Sequence, residues 1–314
     1  MMKETNYPDT VNLVEVGPRD GFQLEPRIIP LDLKVGIIQV LVKAGLKQIQ
    51  VASFVNPKRV PQMADVEAVI RRLDRSADCL YTGLALNLRG VERAHAAGLE
   101  AVEISISASD THSRKNAGLS LSEAIEAGGD MIRTARDFGM RIIAGIQCAF
   151  GCVYEGAIPV SRVAETARRF QDLGVERISL ADTTGMATPR SVNTLLSRLL
   201  PDIGKTAVGL HLHDTRGLGL VNLTAGLGHG ISWFDTAFGG MGGCPFVTGA
   251  AGNIATEDTD YLLTSLGIDT GIDRPGVSVC SRKMARFLER SLPGKLYRVT
   301  EDVNAYDFLN SSDS

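Results

Sequence analysis

One unit recurs through this 314-residue chain and limits what it can fold into: a helical stretch ends in glycine and a short apolar strand begins a few residues later. The joints read KAGLKQIQV, AAGLEAVEI, DFGMRIIAG, DLGVERISL, DIGKTAVGL and GHGISWFDT, with Gly45, Gly98, Gly139, Gly174, Gly204 and Gly230 at the helix ends. Glycine just past a helix is the residue that accepts left-handed backbone at lowest cost. The second helix leaves through RSADCL, without a glycine. Counting the first β-branched run, the pattern predicts strands near 11–16, 48–54, 79–85, 101–107, 141–148, 177–182, 207–213 and 233–238. Each is followed by apolar residues at helical spacing, such as Val35, Ile38, Leu41 and Val42.

Continuous apolar strands alternating with helices imply a parallel sheet covered by helices. Eight such units fit an α/β chain folded as a (β/α)₈ TIM barrel over residues 1–275. A doubly wound open sheet is the alternative, but it needs a Gly-rich phosphate turn after the first strand, and GPRDG is not that motif. Residues 276–314 are expected to form an extra C-terminal helix, near 276–291, and a tail.

The totals exclude several functions. A net charge of −3 gives no reason to expect nucleic acid or an anionic membrane, and no apolar run reaches spanning length. The start, MMKETNYPDT, resembles neither a signal nor a transit peptide, and the five dispersed cysteines read as reduced thiols. A cytoplasmic enzyme is expected.

In such a barrel the chemistry sits at the C-terminal ends of the strands. Those ends carry Arg19 and Asp20, Gln50 and Ser53, Asn87, Gln147, Asp182 and Thr183, and the pair His211 and His213. Two histidines two residues apart on a strand face the same way, a ready metal pair. Asp20 adds a carboxylate, and Asn253 an amide oxygen. Two nitrogen and two oxygen donors suit an octahedral ion such as Mg²⁺ or Mn²⁺, although two histidines and a carboxylate also match a non-haem Fe(II) triad. The last strand runs into GGMGGCPFVTGAAGN, residues 239–253, with six glycines and Cys244 at its middle. A thiol among flexible glycines at the catalytic face reads as functional. Cys148 and Cys152 read as core; His95 and His229 as surface or capping residues.

Together EVGPRDGFQ, SFVNPKRVPQM, GCVYEG, SLADTTG, HLHDTRG and GGMGGCPFVTGAAGNIATED resemble the 3-hydroxy-3-methylglutaryl-CoA lyase family, from about Val14 to Gly271. The resemblance implies a cation held by Asp20, His211, His213 and Asn253, Arg19 at the thioester carbonyl, and Cys244 as the loop thiol. It implies retro-Claisen cleavage of an acyl-CoA substrate to acetyl-CoA and acetoacetate, and a homodimer. Either Asp20 or His211 is the expected base. Gln23, Gln50, Ser53, Asn87, Asp182 and Thr183 are the expected substrate-binding set, and Arg27, Arg114 and Lys115 are candidates for the CoA phosphates.

Four positions depart from the family pattern. Gln50 stands where a glutamate is usual, Leu24 where asparagine is common, Ile146 where tyrosine is frequent, and Val153 replaces a proline. They raise a sister lyase acting on another branched 3-hydroxyacyl-CoA, such as citramalyl-CoA, as the alternative. A Claisen-condensing synthase is expected to carry a long C-terminal domain beyond the barrel.

Overall fold

The structure, a computed structural model, describes residues 7–243 and 251–299. Eight parallel strands close into a barrel in sequence order: β1 (Asn12–Glu15), β2 (Gln48–Ser53), β3 (Leu80–Ala85), β4 (Ala101–Ser107), β5 (Arg141–Gln147), β6 (Arg177–Ala181), β7 (Ala207–His211) and β8 (Trp233–Thr236). Closure is made by β1 against β8, Val14 opposite Asp235. The connecting helices are α1 (Leu31–Lys43), α2 (Val66–Arg71), α3 (Leu88–Ala96), α4 (Asp110–Ala117), α5 (Leu121–Asp137), α6 (Val160–Asp172), α7 (Pro189–Leu199), α8 (Gly219–Leu227) and α9 (Thr256–Ser265). A further helix, α10 (Arg274–Phe287), follows; it starts two residues earlier and stops four earlier than the sequence predicts. It packs on α1 and α9, and its Cys280 is fully buried with its sulfur 3.8 Å from the Ile37 carbonyl oxygen.

The six joint glycines all have positive φ, from 59° at Gly204 to 93° at Gly45. At Gly45 the requirement is double. A Cβ there would also lie 2.3 Å from the Gly271 carbonyl oxygen, so the joint is pressed against the chain leading to α10. The exit from α2 turns by other means: Asp74 Oδ1 accepts the Ser76 amide at 2.9 Å. Most predicted strands run one or two residues past the observed ones. β7 stops at His211 because the backbone beyond it pairs elsewhere, with Asn253 opposite His213.

The barrel interior is unusually polar. Gln50 on β2 bonds Glu103 on β4, Ser179 on β6 reaches Asp235 on β8, and Arg177 on β6 bonds Gln48 on β2. None of these strands are neighbours, so the bonds cross the lumen. Even-numbered strands thus contribute one layer, Gln50, Glu103, Ser179 and Asp235, as expected where alternate strands fill successive layers.

Two buried carboxyls hold the start of the Gly-rich stretch. Glu15 accepts the amides of Gly17 (2.7 Å) and Phe238, and Glu257 accepts that of Gly239 at 2.9 Å. Burial pushes Glu15 up to about 8 and Glu257 up to about 7. The Thr256 hydroxyl donates to Glu15 at 2.7 Å and lies 2.8 Å from the Thr236 hydroxyl.

Glu15 therefore contributes stability that is full below its unfolded value, 4.5, and lost as pH rises through about 8. Glu15→Gln keeps the shape and the donor but does not titrate. Urea unfolding of the metal-free protein should show the variant gaining on wild type as pH rises across that window, by up to about 1.4 kcal/mol per pH unit. A difference that does not change with pH would show that Glu15 is ionised in the folded chain.

Candidate active site

The loop after β1 is a π-helical turn, Gly17–Gly21, with Pro18 at its start, and it presents Arg19 and Asp20 to the barrel mouth. Gly17 is needed there: a Cβ would meet both Glu15 Oε1 and the Phe238 ring at 2.7 Å. His211 ends β7. His213 is turned back to it by the return of the chain, in which the Asp214 amide bonds the Gly252 carbonyl at 2.8 Å and the Ile254 amide bonds that of Leu212 at 3.1 Å. These bonds place Asn253 beside the histidines, although Asp20 and Asn253 are 233 residues apart in the chain.

Asp20, His211 and His213 bring one donor atom each within 4.8 Å of one another, and all three are buried. The two Nε2 atoms face each other at 3.2 Å. Asn253 Nδ2 donates to Asp20 Oδ2 at 2.7 Å and to the Met241 carbonyl at 2.9 Å, while its Oδ1 is buried without a hydrogen-bond partner among the described residues. Buried acceptors converging on one point, with an amide oxygen to spare, are what a cation requires and what packing alone would not leave. Gly242 walls this cradle; a Cβ at its φ of 116° would lie 2.3 Å from Asn253 Nδ2 and 2.7 Å from Asp20 Oδ2.

At His213 and Asp20 the electrostatics favour the same use. Burial pushes His213 down to about 3, so its ring is neutral at pH 7 and keeps a lone pair. Burial opposes charge on His211 too, but Asp235, 3.1 Å from Nδ1, outweighs it and raises the pKa. A proton held between Nδ1 and Asp235 leaves Nε2 as the donor atom. Burial would raise Asp20, yet Arg19 and the two histidines outweigh it and hold the carboxyl below its usual value.

The cluster opens on a cavity of about 350 Å³ lined by Arg19, Asp20, Gln23, Leu24, Ser53, Thr183, His211, His213 and Gly243, among others. Gln50 lies just beneath, accepting from Arg19 Nε and donating to Glu103 at 2.7 Å. Two residues of the expected substrate-binding set are used otherwise. Asn87 caps α3, its side chain accepting the Gly90 amide at 2.9 Å, and Asp182 accepts the Met186 and Ala187 amides at 2.7 and 2.9 Å, shaping the loop after β6. Neither lines the cavity. Among the departures, Leu24 faces the cavity, Ile146 is buried away from it, and Val153 is on the surface.

The three candidates for CoA phosphates have other contacts. Arg27 stacks on Phe287, Arg114 pairs with Asp110 at 2.8 Å, and Lys115 sits 5.0 Å from the Tyr154 ring centre. His95 stacks on Phe138 and His229 bonds Asn193, as surface residues do; Cys148 and Cys152 are buried. Cys244 lies outside the described residues. Sequence reasoning passed over Asp235 and Glu103, and left His112, read as lying in a long loop, open between a surface and a functional role. The first two are single acids in short apolar strands, and only closure of the barrel turns them toward the site. His112 lines the cavity from α4, and burial lowers it to about 4.

Asp235 fixes the His211 tautomer, so Asp235→Asn is expected to weaken divalent-cation binding about 10- to 100-fold, measured by calorimetry. Unchanged affinity would mean that His211 is not oriented through this carboxylate.

Comparison with known proteins agrees with this geometry. Residues 10–281 match the HMGL-like family model. The chain is 39% identical to a zebrafish (Danio rerio) protein named 3-hydroxy-3-methylglutaryl-CoA lyase, cytoplasmic, over 94% of this chain and 88% of that one. It is 37% identical to the bovine (Bos taurus) mitochondrial hydroxymethylglutaryl-CoA lyase, over 94% of this chain and 90% of that one. The crystal structure of hydroxymethylglutaryl-CoA lyase from Pseudomonas aeruginosa superposes with a TM-score of 0.90 at 36% identity, covering 93% of this chain and 98% of that one. The barrel, the Asp20, His211 and His213 cluster and these similarities together make the chain a member of the HMGL-like family.

Proposed function

We propose that this chain is a divalent-metal-dependent carbon–carbon lyase that cleaves 3-hydroxy-3-methylglutaryl-CoA to acetyl-CoA and acetoacetate. The observation that carries the reading is the buried Asp20, His211, His213 and Asn253 cluster with Arg19 against it, at the mouth of a barrel of this family. The relatives named as lyases of this substrate support it. A lyase of the same type from Acinetobacter baumannii, 35% identical with a TM-score of 0.89 over 97% of this chain and 98% of that one, was solved with coenzyme A and 3-methylmalate. An acyl-CoA is thus the substrate class we assign.

The donor set, two imidazoles with a carboxylate and an amide oxygen and no thiolate, suits Mg²⁺ or Mn²⁺. When bound, the cation acidifies the substrate's C3 hydroxyl. The chain's own groups do the rest. The C3 hydroxyl gives its proton to a base on the Asp20 and His211 side of the cavity as the C2–C3 bond breaks. C3 becomes the ketone of acetoacetate, and the bonding pair leaves with C2 as the enolate of acetyl-CoA. Arg19 spends Nε on Gln50 and Nη1 on Asp20, so Nη2 remains for the thioester oxygen where that charge develops. The Cys244 thiol is the group we assign to return a proton to C2. We place the protein in the cytoplasm as a homodimer; relatives with cytoplasmic and with mitochondrial names both occur, and no described helix is long and apolar enough to cross a membrane.

The test is incubation of chelator-stripped protein with hydroxymethylglutaryl-CoA, with and without Mg²⁺ or Mn²⁺, following acetyl-CoA and acetoacetate. Both products should appear only with cation; release of neither, with either ion, would overturn the assignment. Citramalyl-CoA in parallel tests the sister activity, which the relatives do not favour. Cys244→Ser should slow turnover about 100-fold or more while cation affinity is kept, as expected for loss of one proton-transfer group. Wild-type turnover in that variant would remove the thiol from the mechanism.

A further inference from the structure

Arg19 is not held by Asp20 alone. Its Nε donates to Gln50 Oε1, and Gln50 Nε2 donates to Glu103 Oε2 at 2.7 Å. The amide is therefore oriented end to end, oxygen toward the cation and nitrogen toward the carboxyl. Gln50 is 1% exposed, and its two partners come from the loop after β1 and from β4, on either side of it. Reversing the amide would set its NH₂ against a guanidinium and its oxygen against a carboxyl, so the charges fix its direction.

The fold makes room for the carboxyl at the end of this line. A Cβ on Gly145 would lie 2.7 Å from Glu103 Oε1, so the glycine on β5 opposite Ser105 leaves the space that Glu103 fills. Val51 bulges out of register between Gln50 and Ala52, at the point where β2 delivers the amide into the lumen. Glu103 lines the same cavity as Arg19 but has no hydrogen bond to Asp20, His211, His213 or Asn253 among the described residues.

We propose that Glu103 is a positioning residue for Arg19, acting through the Gln50 amide. The carboxyl and amide fix the plane of the guanidinium from one side, while Asp20 fixes it from the other through Nη1. A guanidinium held at two edges keeps its remaining NH₂ aimed at one place as charge develops, which is the preorganisation an enolate requires. This rests on the reading of Arg19 as the group that meets the thioester oxygen.

The relay makes a reciprocal prediction. Glu103→Gln removes the carboxyl that orients the amide. Gln50→Glu puts two carboxyls at hydrogen-bond distance. The double variant Q50E/E103Q moves the carboxyl from β4 to β2, next to Arg19, with an amide behind it to donate. On Mg²⁺-loaded full-length enzyme with hydroxymethylglutaryl-CoA, each single variant should lose about 30-fold or more in kcat with KM changed less than about threefold, and the double variant should recover to within about fivefold of wild type. A purely structural role for Glu103 does not produce that rescue. Wild-type kcat in Glu103→Gln, or a double variant no better than the worse single one, would overturn the relay. Gln50→Met, which breaks the line without moving a charge, gives the same decision if either single variant fails to fold.

A second measurement separates the relay from the lyase assignment. Calorimetry should show wild type preferring acetyl-CoA to free coenzyme A, and Glu103→Gln should lose most of that preference. If wild type does not cleave the substrate, the assignment of the reaction falls, and this binding difference still decides the relay; an unchanged preference overturns it.

Discussion

The site depends on a short piece of main-chain pairing. Beyond β7 the backbone of residues 212–214 is bonded to that of 252–254, so the chain leaving the Gly-rich stretch is fastened to the segment that follows His211 and carries His213. Main-chain bonds hold position more tightly than long side chains can. The pairing sets His213 opposite Asn253, brings the Asn253 amide to Asp20, and leaves Oδ1 buried with no hydrogen-bond partner among the described residues. Without it, only His211 would be held by the barrel itself, and Asp20, His213 and Asn253 would sit on separate loops with no common frame.

Beneath that frame lies a lumen filled with polar side chains where aliphatic ones are the rule. Gln48 is bonded by Arg177, Gln50 by Glu103 and Asp235 by Ser179 across the barrel, and Asp235 also by His211 on the neighbouring strand. Burying charge is costly unless it is paired and bonded, and a fully connected network is the arrangement in which that cost is met. The same network orients both the imidazole and the guanidinium at the mouth, so the floor of the barrel sets the geometry of the site above it.

Much of this was legible in the sequence. The helix-end glycines marked the barrel because each needs left-handed backbone, and all six have it. Asp20, His211, His213 and Asn253 stood out as metal-binding types at strand ends, and the fold brings them together. Asn87 and Asp182 looked the same at that level, since a polar residue after a strand can face the pocket or cap the next turn, and only the backbone amides that follow decide between these. Asp235 and Glu103 were hidden for the opposite reason. A single acid inside a β-branched run reads as an ordinary surface position, and the strands that make it interior lie far away in the chain.

The distance between Asp20 and Asn253 along the chain has a consequence for biogenesis. The first ligand leaves the ribosome early and the last only after β8, and closure of the barrel by β1 on β8 comes between them. No nascent fragment holds the full donor set, so the free energy of cation binding there would be released only when the ring is shut. An ion held by this set would act as a clasp on the completed circle, holding its first and last segments together and opposing the reopening of the seam where the two ends of the barrel meet.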